Sequence, residues 1–398
     1  MNRNVIKLLI IRGLRSIGQG ALVVDLTLYL KQLLWSGAAI GGATTGAGIV
    51  GALLILIVGI ASDRYGRKPF LIVYEAITMV AAVVTSLTTS GIWLVLAIMI
   101  AGFGRGQSGA AGPFSPAEQA LLARYVKREE RGSVFSINNA IGFFGMAIGA
   151  LLGAVPHLYH QASPIASYRP VFLTVGIFSF LCLIMILTIK EPTFMRQVQV
   201  RDKTQEESIR KKENHAILLL ALVNTLNGLA VGLTGPLMAY WFSLRYGVST
   251  GAIGSTMAIS FFLTGLFSLF SGRLAGRIGI VRSVTWFRII GSILMVATPF
   301  MPTFWLASLL FILRSATNRS TQGNRTALSA NLTRDERRGF SVSVNALSMR
   351  LPSSLGPLVS GYLFDSNMLS LPLFLTAILQ FANAIIYQRI FGSFDKGE

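Results

Sequence analysis

The segment Gly59–Pro69, with the sequence GIASDRYGRKP, decides the fold because it connects two long apolar runs, at residues 38–61 and 70–90. Each run is close to the roughly 20 residues that an α-helix needs to cross the hydrocarbon core of a bilayer. The segment itself holds four charged side chains within six positions. Its charge and position indicate a short polar loop between two membrane-spanning helices.

The composition of the whole chain supports a membrane protein. Hydrophobic residues make up 53% of the 398 residues and charged residues only 13%, whereas soluble domains carry about 25% charged residues. Within a bilayer only helices and closed barrels satisfy every backbone polar group. The apolar runs are long and continuous and do not alternate at period two, so we predict an all-α membrane protein.

The same pattern recurs along the chain and predicts twelve membrane-spanning helices. The predicted spans are residues 5–31, 38–61, 70–90, 92–122, 133–156, 169–189, 215–244, 250–272, 284–301, 303–331, 339–364 and 371–391.

The basic residues predict the orientation of these spans. With the N-terminus in the cytoplasm, 24 of the 35 Lys and Arg residues fall in cytoplasmic segments, and only Lys31, Arg169 and Arg245 fall outside. Such a bias is typical of the positive-inside rule. Both termini are therefore predicted to be cytoplasmic. The net charge of +19 has the same origin, and we expect no nucleic-acid partner.

A long polar segment predicts the domain organisation. It divides the chain into an N-terminal six-helix bundle at residues 1–190, a cytoplasmic linker at 191–214 and a C-terminal six-helix bundle at 215–398.

An internal repeat supports this division. The repeated segments are offset by 207 or 213 residues, which is close to half of the chain. Two homologous halves are typical of transporters that rock around a site at their interface. The paired segments are Arg131–Asn138 with Arg338–Asn345, Ala120–Ala123 with Ala327–Ala330, and Arg64–Gly66 with Arg277–Gly279.

The loop Gly59–Pro69 resembles the signature between the second and third helices of the major facilitator superfamily, especially of bacterial drug and small-molecule proton antiporters. The resemblance implies a prokaryotic inner-membrane transporter whose loop latches the cytoplasmic side. The second copy of the loop lacks the aspartate, and Glu118 or Glu75 is offered as an acid near the latch. The residues expected in this cytoplasmic gate are Gly59, Asp63, Arg64, Gly66, Arg67, Lys68 and Glu118.

A second motif, in the fourth predicted span, bears on proton coupling. Arg105–Ala111 resembles the Arg-x-x-x-Gly motif of proton-coupled antiporters, which implies a coupling role for Arg105. The alternative is an arginine that pairs with an acid or with backbone carbonyls. The segment Gly145–Ala150 keeps two glycines of the antiporter motif in the fifth span but lacks its proline, which weakens the antiporter assignment.

Charged residues within the spans are the candidate site residues. The first span carries Arg12, Arg15 and Gln19 on one face, followed by Asp25 nearer its outer end. Asp25 is a candidate for proton or substrate binding, and the alternative is a structural ion pair with an arginine.

The tenth span carries a polar stripe. Arg314, Asn318, Thr321, Gln322 and Arg325 recur at helical spacing, so they share a face that has to meet a cavity or another helix. The spans hold eight arginines, Arg350 among them, but only three acids. This excess favours an anionic or polar substrate over a lipophilic cation.

The seventh span offers Asn224 and Asn227 as candidate substrate ligands, followed by Pro236. A packed helix with a proline kink accounts for these residues equally well.

The sequence excludes several other functions. It has no phosphate-binding loop for ATP-driven pumping, no catalytic triad and no set of metal-ligand spacings, so we expect neither an enzyme nor a cofactor. We predict a monomeric secondary transporter that moves small organic molecules by alternating access, with proton-coupled export as the first hypothesis. Its expected partners are a small-molecule substrate, protons and membrane lipid. The alternatives are a transporter of an organic anion and a non-transporting receptor or scaffold.

Overall fold

The structure is a computed structural model. It describes residues 2–104, 112–126, 131–158, 163–191, 203–322, 325, 328 and 338–396. The described residues form helices and connecting turns, with no β-strand among them. In chain order the α-helices are α1 (Arg3–Gln32), α2 (Gly37–Tyr65), α3 (Lys68–Leu87), α4 (Gly91–Ala101), α5 (Ser115–Arg124), α6 (Arg131–Leu151), α7 (Val155–Leu158), α8 (Arg169–Leu187), α9 (Lys203–Thr234), α10 (Met238–Tyr246), α11 (Thr250–Ile278), α12 (Ile280–Ala297), α13 (Phe304–Ser320), α14 (Arg338–Asp365) and α15 (Leu371–Phe391).

Eight of the predicted spans are long and apolar enough in the described residues to cross a membrane by length and composition alone. The other four predicted spans correspond to α1, to α4 with α5, to α13 and to α14. Helix α1 has 30 residues but carries buried charges, α13 has only 17 residues, and α14 contains two prolines. These departures from a plain apolar helix occur where the candidate site residues lie.

The predicted single span at 92–122 is wrong as one continuous helix. Helix α4 ends at Ala101, and the chain then passes through Gly102, Gly104 and Gly112 with φ values of +70°, +76° and +64°. A left-handed backbone ends a helix, and glycine adopts it without steric cost. After Gly112 a short 3₁₀ turn leads into α5, which begins at Ser115.

The helices form two bundles that meet along two helix pairs. In the N-terminal bundle α1 packs on α6 and α8, and α3 packs on α8; in the C-terminal bundle α9 packs on α14 and α15, and α12 packs on α15. Helix α2 packs on α14 and α6 packs on α11, and these two pairs join the bundles.

The α2–α14 contact is tight at the end of the protein that contains Lys31, which we call the Lys31 end. A Cβ atom added at Gly37 would lie 2.6 Å from the Gly361 carbonyl oxygen, and one added at Gly41 would overlap the Pro357 carbonyl. The Asp365 carboxylate accepts hydrogen bonds of 2.7 and 2.8 Å from the first two N–H groups of α2. The backbones therefore touch, as small residues allow in membrane helices.

In the opposite half of α2, two glycines have open space beside them among the described residues. Gly51 and Gly59 lie within about 40° of the helix face that holds Gly37, yet a Cβ atom at either glycine would meet no other described atom within 4 Å. Helix α2 thus diverges from α14 towards the end that contains Arg67, which we call the Arg67 end. Among the described residues, the backbone contacts between α2 and α14 therefore lie towards the Lys31 end, and α2 leaves open space beside Gly51 and Gly59 towards the Arg67 end.

A second contact closes the Lys31 end between α6 and α11. A Cβ atom at Gly254 would lie 2.6 Å from the Ala150 carbonyl oxygen. Nearby, the Lys31 ammonium on α1 donates a 2.8 Å hydrogen bond to the Ser243 hydroxyl on α10. This hydrogen bond links the two bundles directly.

Candidate functional site

A buried ion-pair cluster lies inside the N-terminal bundle. The Arg15 guanidinium on α1 donates from Nε to Glu75 Oε1 on α3 at 2.6 Å, and from Nη1 to Glu118 Oε2 on α5. All three residues are buried, with Glu75 fully so. One cation therefore faces two carboxylates in a water-poor interior, where a carboxylate is costly without compensation. We call Arg15, Glu75 and Glu118 the Arg15 cluster.

Aromatic and polar groups surround this cluster. The Arg15 guanidinium lies over the Tyr74 ring at 5.6 Å, and that ring stacks on Phe114 at 4.8 Å. Arg15, Gln19 and Tyr74 also line a small cavity beside the glycine turn that follows α4. Gln19 and Arg15 thus share a site, as their common helix face predicts.

Asp25 lies apart from the Arg15 cluster. It is ten residues further along α1, or about 15 Å along the helix axis. The side chain is fully buried, and neither carboxylate oxygen has a hydrogen-bond partner among the described residues. The structural ion pair between Asp25 and Arg15, weighed as an alternative above, does not form.

The surroundings of Asp25 are apolar and aromatic. Gly153, in the 3₁₀ turn that follows α6, is adjacent, since a Cβ atom there would lie 3.6 Å from Asp25 Oδ1. Tyr168, which precedes α8, is close enough for its hydroxyl to interact electrostatically with Asp25. Tyr168 and Lys31 also line a cavity of about 390 Å³ at the Lys31 end. Asp25 therefore lies just inside the closed end of the protein.

The loop between α2 and α3 is held by a carboxylate that the sequence analysis did not single out. The Glu191 carboxylate accepts hydrogen bonds from the Arg67 N–H, at 2.9 and 3.0 Å, and from the Lys68 N–H, at 3.0 Å. Gly66 precedes them with a φ of +88°. Glu118, offered above as an acid near this latch, pairs with Arg15 instead. The side chains of Asp63 and Arg64 lie outside the described residues.

The C-terminal bundle contains the equivalent of this arrangement. Gly279 has a φ of +97° and precedes α12, and the Asp395 carboxylate accepts from the Val281 and Arg282 N–H groups at 3.0 and 2.8 Å. Glu191 and Asp395 each lie four residues after the last helix of their bundle. In both halves a carboxylate caps the N-terminus of the third membrane span, which is α3 in one bundle and α12 in the other. An anion is favoured at a helix N-terminus.

These two caps give the first prediction. Glu191→Ala and Asp395→Ala are each expected to lower the free energy of unfolding by about 1–2 kcal/mol, because each change removes a charged acceptor from a helix N-terminus. Unfolding by denaturant in detergent micelles measures the effect. Gln32→Ala, at an exposed position, is the control, and a loss no larger than in this control would contradict the capping role.

The polar stripe of the tenth predicted span is partly confirmed as a shared face. Arg314 and Asn318 on α13 both approach Gly291 of α12, at 3.7 and 3.8 Å from a Cβ atom added there. Gln322 and Arg325 follow on the same side and are half-buried. The Arg325 N–H donates to the Thr321 carbonyl at 3.1 Å, so the helical path continues beyond α13.

The remaining candidates lie on α9 and α14. The Asn224 side-chain amide donates to Asn345 Oδ1 on α14, and Asn227 Nδ2 lies 3.9 Å from Met349 Sδ. These contacts match the packed-helix alternative for Asn224 and Asn227. Arg350 instead crosses between the bundles, and its Nη1 donates to the Gly112 carbonyl at 3.1 Å. Arg105 lies outside the described residues.

The repeat relates the Arg15 cluster to two arginines of the C-terminal bundle. Glu75 lies nine residues after Gly66, and Arg288 lies nine residues after Gly279. The 207-residue offset of Ala120 and Ala327 likewise places Arg325 at the position of Glu118. The two acidic positions of one bundle are therefore basic in the other, a relation that no single motif reveals.

Comparisons with known proteins agree with this architecture. The family model of the Major Facilitator Superfamily matches residues 8–218 and 220–393. The multidrug resistance protein MdtG of Salmonella typhi is 26% identical over 374 residues, covering 90% of this chain and 88% of MdtG. An uncharacterised membrane protein of Saccharomyces cerevisiae is 24% identical over 341 residues, which cover 77% of this chain and 76% of the yeast protein.

Solved structures share the fold. The nucleoside transporter NupG superposes with a TM-score of 0.72 at 16% identity, covering 98% of this chain and 99% of that one. A bacterial homologue of the lysosomal transporter Spinster, in an inward-facing and occupied conformation, gives a TM-score of 0.73 at 17% identity, with 98% and 96% coverage. Together with the family match across both halves, this likeness shows that the chain belongs to the Major Facilitator Superfamily of transporters.

Proposed function

We propose that the chain is a proton-coupled exporter of small organic molecules in a prokaryotic inner membrane, with Asp25 as the group that carries the proton. The observation that supports this function best is the environment of Asp25, which is buried without a cation or a hydrogen-bond donor among the described residues. An ionised carboxylate is costly in such a place. The closed conformation therefore accommodates the neutral acid.

The position of Asp25 suggests how protonation is coupled to movement. The carboxyl lies just inside the closed Lys31 end, next to the cavity that Tyr168 and Lys31 line. When the Lys31 end opens, water reaches Asp25 and the carboxylate takes up a proton from the outside. That proton leaves towards the cytoplasm while the Arg67 end is open, and the charged carboxylate that remains in the closed end then favours reopening of the Lys31 end. Because only the neutral acid fits the closed end, protonation of Asp25 favours closure at that end and opening at the Arg67 end.

The direction of transport is proposed from two observations. The Arg67 end carries most of the basic loops, and the positive-inside rule assigns such loops to the cytoplasm. Beside Gly51 and Gly59 the gap between the bundles is open at that end, which is the conformation in which an exporter loads its solute from the cytoplasm. The name of the relative MdtG, a multidrug resistance protein, favours export of small organic compounds.

The test is transport by the purified chain in liposomes with an imposed pH gradient. Asp25→Asn is expected to reduce gradient-driven flux at least tenfold while solute exchange without a gradient continues. The amide resembles the neutral acid in shape and charge, so we expect the fold to be kept. Asp25→Glu retains a titratable group and serves as the matched control. Gradient-driven flux of Asp25→Asn at the parent rate would exclude Asp25 as the proton carrier.

A further inference from the structure

Two arginines of the C-terminal bundle, Arg288 and Arg325, stand at the positions that the carboxylates Glu75 and Glu118 occupy in the N-terminal bundle. Arg288 is fully buried, and its Nε and Nη2 have no hydrogen-bond partner among the described residues. The same holds for Nε of Arg325. Unpaired guanidinium groups in a low-dielectric interior are costly. Among the described residues, these three guanidinium nitrogens lack an acceptor.

The groups around these arginines are fixed in place. The Arg288 guanidinium lies 5.0 Å from the centre of the Tyr387 ring, and its Nη1 donates to Asn383 Oδ1 on α15. Asn383 in turn donates to the Val223 carbonyl at 2.5 Å, which sets the direction of the amide. Tyr387 interacts electrostatically with both Arg288 and Arg325, so the three side chains belong to one cluster.

Hydrogen-bond donors predominate in this cluster. Besides the arginine atoms, the Tyr387 hydroxyl and the Gln380 side chain are buried without a partner among the described residues. Gln380 and Tyr387 are seven residues apart on α15 and share a face. Residues 215–334 contain no Asp or Glu, and Asp335 and Glu336 lie outside the described residues. Asp395 interacts electrostatically with Tyr387, but its carboxylate is engaged in the cap of α12. An external anion would satisfy these donors.

The position of Arg15 on α1 has an equivalent on α9 of the C-terminal bundle. Arg15 lies five residues before Gly20, which packs on Met146 of α6, and Asn227 lies five residues before Gly232, which packs on α14. A neutral amide thus stands where the first bundle has its guanidinium. The first bundle encloses a cation between two acids, so the second is suited to an anion between two arginines.

The polar stripe of α13 extends this cluster of arginines. Arg325 is half-buried and lies on this stripe. The Arg314 stem packs beside Gly291, one turn beyond Arg288 on α12. Of these arginines, Arg325 is the most exposed and Arg288 the most deeply buried.

We propose that Arg288 and Arg325 bind the anionic group of the transported solute, which is a carboxylate, phosphonate or phosphate. The planar fork of each guanidinium matches the oxygen pairs of these groups. The inference rests on the proposed function, since it assigns the charge of the exported molecule. It makes the preferred substrate an organic anion.

Direct binding to the purified full-length chain in detergent tests this assignment. Benzoate, benzylphosphonate and inorganic phosphate are compared with benzylamine and benzyl alcohol by calorimetry and thermal shift. We expect both organic anions to bind, and the amine and the alcohol not to bind. Arg288→Gln and Arg325→Gln are each expected to weaken organic-anion binding at least tenfold, whereas Arg389→Gln, at an exposed position of α15, leaves it unchanged.

Several results would overturn the proposal. Binding of phosphate without either organic anion would assign the site to an inorganic ion. Equal organic-anion affinity in the parent and in both glutamine variants would place the anion elsewhere. If Arg288→Gln does not fold, Arg325→Lys at the half-buried position tests the proposal instead. This variant keeps the positive charge and loses the planar guanidinium that binds two oxygens at once. We expect this variant to bind the anions several-fold more weakly, and unchanged affinity would contradict the proposal.

The outcomes separate this inference from the proposed function. Arginine-dependent anion binding together with unaltered coupling in Asp25→Asn would refute the proton carrier alone. Proton-driven flux of a neutral or cationic solute, insensitive to Arg288 and Arg325, would refute the anion site alone.

Discussion

Arg15→Leu is expected to lower the free energy of unfolding by about 3–5 kcal/mol, the cost of removing one partner from a buried ion pair. The change leaves Glu75 and Glu118 buried with no guanidinium between them. Glu75 Oε2 already lacks a hydrogen-bond partner among the described residues, so that carboxylate depends on Arg15 through its other oxygen. Denaturant unfolding in detergent micelles measures the loss.

Neutralising both acids in the same chain provides the control. The triple variant Arg15→Leu, Glu75→Gln and Glu118→Gln removes the three charges of the cluster together, and the cost that remains is the lost interaction of buried Arg12 with Glu118. Replacing a whole buried ion pair is often close to neutral for stability. Most of the lost stability should therefore return. A triple variant as unstable as Arg15→Leu would show that the lost packing of the Arg15 side chain, and not the unpaired charge of the two acids, causes the loss of stability.

The Arg15 cluster also shows where prediction from sequence ends. The charged residues within the spans are evident from composition, and their cost in lipid marks them as candidates. Which of them meet is decided by helix packing, because Arg15 is 60 residues from Glu75 and 103 from Glu118. From the sequence, Asp25 is accordingly weighed as the partner of an arginine and Glu118 or Glu75 is offered as an acid near the latch, but the two acids that meet Arg15 are not singled out.

The loop after α2 shows the same limit at shorter range. The pattern Gly59–Pro69 correctly predicts a turn between two helices, since Gly66 takes a positive φ and α3 starts at Lys68. The acid that caps α3 is Glu191, more than 120 residues away in the chain. The sequence indicates it only as part of the linker, because a carboxylate after the sixth span has no local signal of its partner. The equivalent position of Asp395 in the repeat is a signal that could have found it.

The fourth span illustrates a different difficulty. Hydropathy alone extends the apolar pattern of α4 towards residue 122, and glycine is tolerated in membrane helices. Helix α4 nevertheless ends at Ala101, because Gly102 takes a left-handed backbone. The glycine content predicts an irregular helix here, but it does not predict where α4 ends.

Gly41→Leu is expected to reduce transport at least tenfold without unfolding the protein. Gly41 is in backbone contact with Pro357, so a side chain at this position prevents α2 and α14 from closing the Lys31 end. The contact belongs to one of the two conformations of an alternating-access cycle. A substitution that excludes that conformation shifts the population towards a protein open at the Lys31 end.

Gly51→Leu is the matched control on the same helix. No other described atom lies within 4 Å of a Cβ atom at Gly51, so the same side chain adds no steric conflict there. Both variants gain the same apolar surface and the same helix propensity. Transport by Gly51→Leu should remain within about twofold of the parent, and an equal loss in both variants would point to a general effect on α2.

Labelling of one buried hydroxyl position shows directly which end is open. Thr45 accepts a 3.2 Å hydrogen bond from the Leu358 N–H and is buried in the α2–α14 contact. In a chain with Cys182→Ala, Thr45→Cys carries the only thiol. A membrane-impermeant maleimide should label it slowly in the parent and at least tenfold faster with Gly41→Leu. Loss of transport with a thiol that stays protected would contradict this prediction. Position 45 stays covered only if α2 and α14 still meet, so Gly41→Leu would then have blocked a step other than closure.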